Sequence, residues 1–240
     1  MESDLLDQAE FADNPEPRCP VVLVLDTSGS MEGLPITELN QGLEAFSAAL
    51  QTDRLASLRV EVAIVTFGGR VRVLDPVDGK VLESPGEQPQ SAFVTVDSFN
   101  PPRLSAGGGT PMGSAVMQAL DLLRERKEIY RQNSVDYFRP WMFLITDGRP
   151  TDADWTAAAE QVKTEEARKG VLFFGVGVQG ADMAVLSEFS ALRPPLKLQG
   201  LAFGQLFQWL SKSLSVIAHS RPGEQAALPP VDWGQVDTSH

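Results

Sequence analysis

The chain has 240 residues and a formal net charge of −12, from 20 Lys and Arg against 32 Asp and Glu. Its hydrophobic content of 42% suits a soluble domain with a sizeable core, and no apolar run approaches the roughly 18 residues that span a bilayer. Much of the acid surplus sits at the ends, residues 1–18 holding six acids and one Arg and residues 220–240 three acids and one Arg. With no basic stripe visible in the sequence, neither nucleic acid nor a membrane is expected as a partner.

Residues 1–17 are acidic, contain Pro15 and Pro17 and lack an apolar period, which predicts a mobile leader. Val21 to Leu25 is a continuous apolar run, as for a strand buried on both faces. From Ile36 to Leu50, Leu39, Leu43, Phe46 and Leu50 have helical spacing. A strand over Val60–Phe67 follows, with Val71–Leu74 as its hairpin partner across Gly68 and Gly69. The segment from Asp75 to Gly109 is rich in proline, with room for short strands around Val81 and Val94. Met112–Arg126 reads as a helix, Trp141–Thr146 as a buried strand and Ala153–Lys169 as a helix begun by Asp152 and Asp154. Val171–Val178 is a further strand, and Asp182–Ser190 and Phe203–Val216 are further helices. Alternating strands and helices predict an α/β domain over residues 18–218. Its sheet is doubly wound and mostly parallel, with one antiparallel edge strand and helices on both faces. Residues 219–240 read as a flexible Pro/Gly-rich tail with Trp233 its one bulky anchor.

In doubly wound sheets, binding sites form in the loops beyond the carboxyl ends of the strands. Two strands end here in an acid. The first runs Asp26-Thr27-Ser28-Gly29-Ser30, and another Thr146-Asp147-Gly148. One such Asp could cap the next helix, but two, with alternating hydroxyls after the first, suit a shared cation better. Alternate positions of an extended turn point to one side, which brings the Asp26 carboxylate and the Ser28 and Ser30 hydroxyls together. In Gly107-Gly108-Gly109-Thr110-Pro111, glycines permit close backbone approach, while Thr110 can cap a helix, face an ion, or do both. Hard oxygen donors in a small site favour Mg²⁺ or Mn²⁺ over zinc. An ion held by neutral hydroxyls and only two carboxylates would still attract an external carboxylate.

The set Asp26, Ser28, Ser30, Thr110 and Asp147 resembles the metal-ion-dependent adhesion site of the von Willebrand factor A family, over about residues 20–216. The resemblance implies direct or near-direct metal contact for Ser28, Ser30 and Thr110. Asp26 and Asp147 would act mostly through bound water. It also implies a Rossmann-like fold and a module that binds a protein partner through an Asp or Glu of that partner. Within the family, VVLVLDTSGSM, FNPPRLSAGGGTPMGSAV and WMFLITDGRPTD are most similar to stand-alone, cytoplasmic bacterial proteins associated with tellurium resistance. That likeness implies a stress-response adaptor, with kinase-like or phosphatase-like proteins as partners.

Rival readings are weaker. Gly175-Val176-Gly177-Val178-Gln179-Gly180 matches a dinucleotide fingerprint but follows a late strand, and the glycine run before Thr110 lacks the Lys of a phosphate loop. His219 and His240 stand near the end, so no Ser/His/Asp or zinc arrangement can be assembled. A metal-dependent hydrolase or phosphotransferase would have to use Asp26 or Asp147, yet Ser28 stands where a haloacid-dehalogenase-type phosphotransferase has its second Asp. A structural domain with an empty metal site is the remaining alternative. No catalytic residues are expected. The single Cys19 allows no internal disulfide, and with the acidic start it fits a cytoplasmic protein.

Overall fold

The computed structural model describes residues 11–82, 92–231 and 234–236. The strands are β1 (Cys19–Asp26), β2 (Val60–Gly68), β3 (Arg70–Leu74), β4 (Val94–Thr95), β5 (Trp141–Thr146), β6 (Leu172–Gly177), β7 (Leu196–Leu198) and β8 (Gly234–Val236). The helices are α1 (Leu34–Gln51), α2 (Arg54–Arg59), α3 (Met112–Gln132), α4 (Trp155–Ala167), α5 (Met183–Ser187) and α6 (Phe203–Ala218). All strands join one sheet in the order β3-β2-β1-β5-β6-β7-β8, with β4 also against β2. The five central strands, β2, β1, β5, β6 and β7, run parallel. The hairpin strand β3 is antiparallel as expected, and β4 is the short strand expected around Val94 and pairs antiparallel with β2. Val81 forms only an isolated bridge to Leu74, and β8 adds an antiparallel pairing that the sequence did not announce.

β1 shows why a continuous apolar run is needed at the centre. Val21, Leu23 and Leu25 face one core, with α1 and α6, and Val22 and Val24 face the other, with α3 and α4. Burying each such side chain contributes about 1.5–3 kcal/mol. In the first core Phe143 and Phe174 stack at 4.6 Å, with Trp209 edge-on to both.

Helix α3 runs well past Arg126, where the sequence pattern broke off. Arg126 is buried and bonds Glu61 through Nε at 2.9 Å and through Nη2 at 2.8 Å. Tyr130 donates to the same carboxylate, and Arg18 Nε lies 2.9 Å from it as an ion-pair contact rather than an aligned hydrogen bond. A charged residue on the inner face of a helix looks like a terminus unless its buried partner is known.

Both ends are more engaged than their composition suggested. Phe11 packs on Tyr130 and under the guanidinium groups of Arg18 and Arg126, and Glu16 pairs with Arg59 at 2.6 Å. After His219, Trp209 Nε1 donates to the Pro229 carbonyl at 2.9 Å, Leu228 packs on the first core, and β8 pairs with β7. Trp233 lies outside the described residues, as do residues 1–10, 83–91 and 237–240.

Candidate metal centre

The five residues singled out in the sequence come together at the carboxyl edge of the sheet. Pairing of Leu25 with Ile145 sets the last residues of β1 and β5 side by side. As a result the Thr146 hydroxyl donates to Asp26 Oδ2 at 2.5 Å. Asp26 is fully buried, and its other oxygen accepts from the Ser28 N–H at 2.8 Å. The turn so formed lines up the Ser28 and Ser30 hydroxyls, 3.1 Å apart, and Ser30 donates to Asp147 Oδ1 at 2.7 Å. Ser28, Thr110 and Asp147 are buried or nearly so, whereas Ser30 faces solvent.

Thr110 arrives from the third loop. The glycine run before it is laced to both neighbours: Gly29 N–H donates to the Gly108 carbonyl, Gly107 N–H to Thr27 and Gly69 N–H to Gly109, all within 2.9 Å. At Gly108 the backbone has φ +82°, and a Cβ there would lie 2.6 Å from the backbone of Gly69, so only glycine permits this approach. A methyl group on Gly148 would stand 3.5 Å from Thr110 Oγ1 and 3.8 Å from Asp26 Oδ2, so these two groups line one space.

Of the roles open to Thr110, capping the next helix is not one that its side chain takes. Helix α3 begins at Met112, and Asp152 supplies its cap from the β5–α4 loop, accepting from Ser114 N–H at 2.7 Å. Thr110 is fixed instead through its backbone, donating N–H to Thr151 Oγ1 at 3.0 Å and accepting from Thr151 N–H at 2.9 Å. Its own hydroxyl forms no hydrogen bond among the described residues and is free for another partner. Thr146 and Thr151 are supports whose roles sequence reasoning did not assign, and Asp152, expected to begin the helix that follows it, serves α3 instead, while α4 starts at Trp155 after Asp154. All three lie in WMFLITDGRPTD, which was legible as a motif without revealing which atoms each hydroxyl would reach.

Electrostatically the site is short of positive charge. Burial raises the pKa of Asp26, hydrogen bonds from Ser28 and Thr146 oppose the rise, and the charge of Asp147 adds to it. Among the described residues neither carboxylate has a Lys, Arg or His partner; the nearby Arg149 is engaged by Asp182 at 2.8 Å. No three His, Cys, Asp or Glu side chains cluster among the described residues, so a cation here would rest on two carboxylates and three hydroxyls. That is a hard, oxygen-only set of low negative charge, and it fits a small divalent ion better than zinc.

Residues 21–197 match the model of the von Willebrand factor type A domain. The chain belongs to that family. Domains of this family typically mediate protein–protein interaction or adhesion. Among solved structures, the fold is shared with a von Willebrand factor type A protein from Catenulispora acidiphila, at 19% identity and a TM-score of 0.55 over 84% of this chain and 43% of that one. The open conformation of the pilus adhesin SpaC from Lactobacillus rhamnosus GG is similar at 16% identity, with a TM-score of 0.58 over 84% of this chain and 30% of the adhesin. The domain of the type V pilus tip protein Mfa5 from Porphyromonas gingivalis has 12% identity and a TM-score of 0.52, covering 88% of this chain and 98% of its own. The chain thus spans less than half the length of the first two. No curated protein matches it. Among the described residues, no helix is long and apolar enough to cross a membrane.

Proposed function

We propose that this face holds one Mg²⁺ or Mn²⁺ ion and uses it to grip a carboxylate of a protein partner. The observation that carries this reading is the pair of acids, Asp26 and Asp147, drawn together with three hydroxyls and without a cationic partner among the described residues. Ser28, Ser30 and Thr110 would contact the ion, Thr110 with a hydroxyl that has no hydrogen-bond partner among the described residues. Asp26, with both oxygens engaged by Ser28 and Thr146, suits a role at one remove, through water. Bound there, the ion supplies a Lewis-acidic position, short of negative charge, to which an external Asp or Glu can bind. The neutral hydroxyls around the ion, and the hold of Ser28 and Thr146 on Asp26, favour binding over catalysis. The motif-level likeness to tellurium-resistance-associated proteins supports an adaptor in a bacterial, cytoplasmic stress response, with kinase-like or phosphatase-like partners.

Partner capture from a cell extract tests the reading. Capture should vanish in chelator and return with Mg²⁺. Thr110→Ala should abolish it while costing less than about 1 kcal/mol of stability, because that hydroxyl supports nothing else. Capture that persists both in chelator and in the variant would place the interface elsewhere.

A further inference from the structure

At the opposite edge of the sheet lies a cleft of about 1150 Å³. Trp141 and Leu172, the first residues of β5 and β6, form part of its wall, so the length of a six-residue strand, roughly 17 Å, separates it from the metal centre. Seven of its twenty lining residues are Lys or Arg, against two acids, Glu165 and Glu224. The cations come from separate places in the chain: Arg124, Lys127 and Arg131 on the last turns of α3, Arg139 before β5, Arg168 and Lys169 after α4, and Arg193 before β7. No basic stripe was visible in the sequence because only the fold gathers them.

These cations are incompletely neutralised. Arg124 and Arg131 hold acids of their own helix, Asp121 at 2.6 Å and Glu128 at 3.1 Å, in exposed pairs that contribute little and are easily exchanged. Lys127 and Arg168 share Glu165. Arg139 Nε is buried with no hydrogen-bond partner among the described residues, and beside it Arg193 reaches Glu166 at 3.2 Å. Burial lowers the pKa of Lys127; Glu165 opposes this, and Arg131, Arg124 and Arg168 add to the lowering. Between the cations the wall is apolar and partly open, at Leu172, Ile217 and Leu228.

We propose that this cleft docks an acidic, amphipathic peptide segment of a partner protein, its carboxylates against the arginines and its apolar side chains on Leu172, Ile217 and Leu228. Nucleic acid fits less well. The chain as a whole carries −12, which repels a long polyanion, and of the rings in the wall Trp141 and Phe138 are buried while the partly open Tyr137 already packs on Tyr130. A second docking face, remote from the metal centre, would let one domain hold two partners at once.

The test is fluorescence anisotropy with a short labelled peptide of Glu and Leu, performed on the full chain in EDTA so that the metal centre cannot take a carboxylate. A Lys and Leu peptide and a single-stranded oligonucleotide are the comparisons. The Glu and Leu peptide should bind, more weakly as salt rises, and the Lys and Leu peptide should not. Arg124→Glu with Lys169→Glu, both exposed positions, should weaken binding about tenfold or more. Their neutral counterparts, Arg124→Gln with Lys169→Gln, should weaken it less, and both pairs should melt within a few degrees of the parent. Absence of binding, indifference to the charge reversal, or tighter binding of the oligonucleotide would overturn the proposal. Because metal is absent throughout, none of these outcomes bears on the reading of the metal centre.

Discussion

Asp26→Asn separates a structural role for Asp26 from a metal-binding one. The substitution keeps the shape and removes the charge. Asn Oδ1 can still accept from the Ser28 N–H, now 2.8 Å from Asp26, and Asn Nδ2 can donate to the Thr146 hydroxyl, now 2.5 Å away. One hydroxyl proton then loses its acceptor, which costs on the order of 1 kcal/mol. Against this, the variant no longer buries a charge beside Asp147, a burden expressed in the raised pKa of Asp26. The two effects offset, so in EDTA the variant should melt within about 4 °C of the parent, given about 2–4 °C per kcal/mol for a chain of this size. With Mg²⁺ the two should diverge. Ion at one hundred times Kd stabilises the folded parent by about 2.7 kcal/mol, or roughly 5–10 °C, and the variant by nothing measurable. Differential scanning fluorimetry across a Mg²⁺ series in parallel for both proteins reads the difference. If Asp26→Asn loses more than about 3 kcal/mol in EDTA, as when one partner of a buried pair is removed, Asp26 is a strut of the fold and the reasoning fails.

Three further outcomes follow from particular contacts. Glu61→Gln removes the buried negative charge that Arg18 and Arg126 share and should destabilise by about 3–5 kcal/mol in urea unfolding. Burial alone would raise the pKa of Glu61, but Arg126, Tyr130 and Arg18 outweigh it and hold the pKa below 4.5. The stability it contributes is therefore present above pH 4.5 and lost as pH falls through the lower folded value, so Glu61→Gln should flatten the acid limb of the stability curve. Gly108→Ala would drive a Cβ into the Gly69 backbone at a positive φ; it should weaken Mg²⁺ binding by displacing Thr110, and an unchanged Mg²⁺ titration would show that the loop is not held as described. Cys19 is fully buried, and burial followed by the charge of Glu61 pushes its thiol up to about 12; Ellman's reagent at pH 8 should modify it only after denaturation.

The candidate site was legible because its chemistry is local. Asp26, Ser28 and Ser30 lie in one turn, and Thr110 and Asp147 each follow a pattern, a glycine run or an apolar strand, that marks a loop at a sheet edge. What escaped notice depended on distant partners. The segment before Thr110 is irregular because its backbone is held by side chains of α1: Asn40 exchanges two hydrogen bonds with Leu104, Ser47 donates to the Phe99 carbonyl, and Gln51 to Val96 and Phe99. No periodicity announces that kind of support. Strand β8 was likewise hidden, since three residues in a Pro/Gly-rich stretch become a strand only because β7 offers a free edge. The extra turns of α3 depended on Glu61, more than 60 positions away in the chain.

Isothermal titration calorimetry of metal-free protein with Mg²⁺ and then Mn²⁺ tests the central claim most directly. One ion per chain should bind, with the heat abolished in Asp26→Asn and in Thr110→Ala. A parent protein that takes up neither ion at millimolar concentrations, or one whose uptake survives both substitutions, would contradict the assignment of Asp26, Ser28, Ser30, Thr110 and Asp147 as a metal centre.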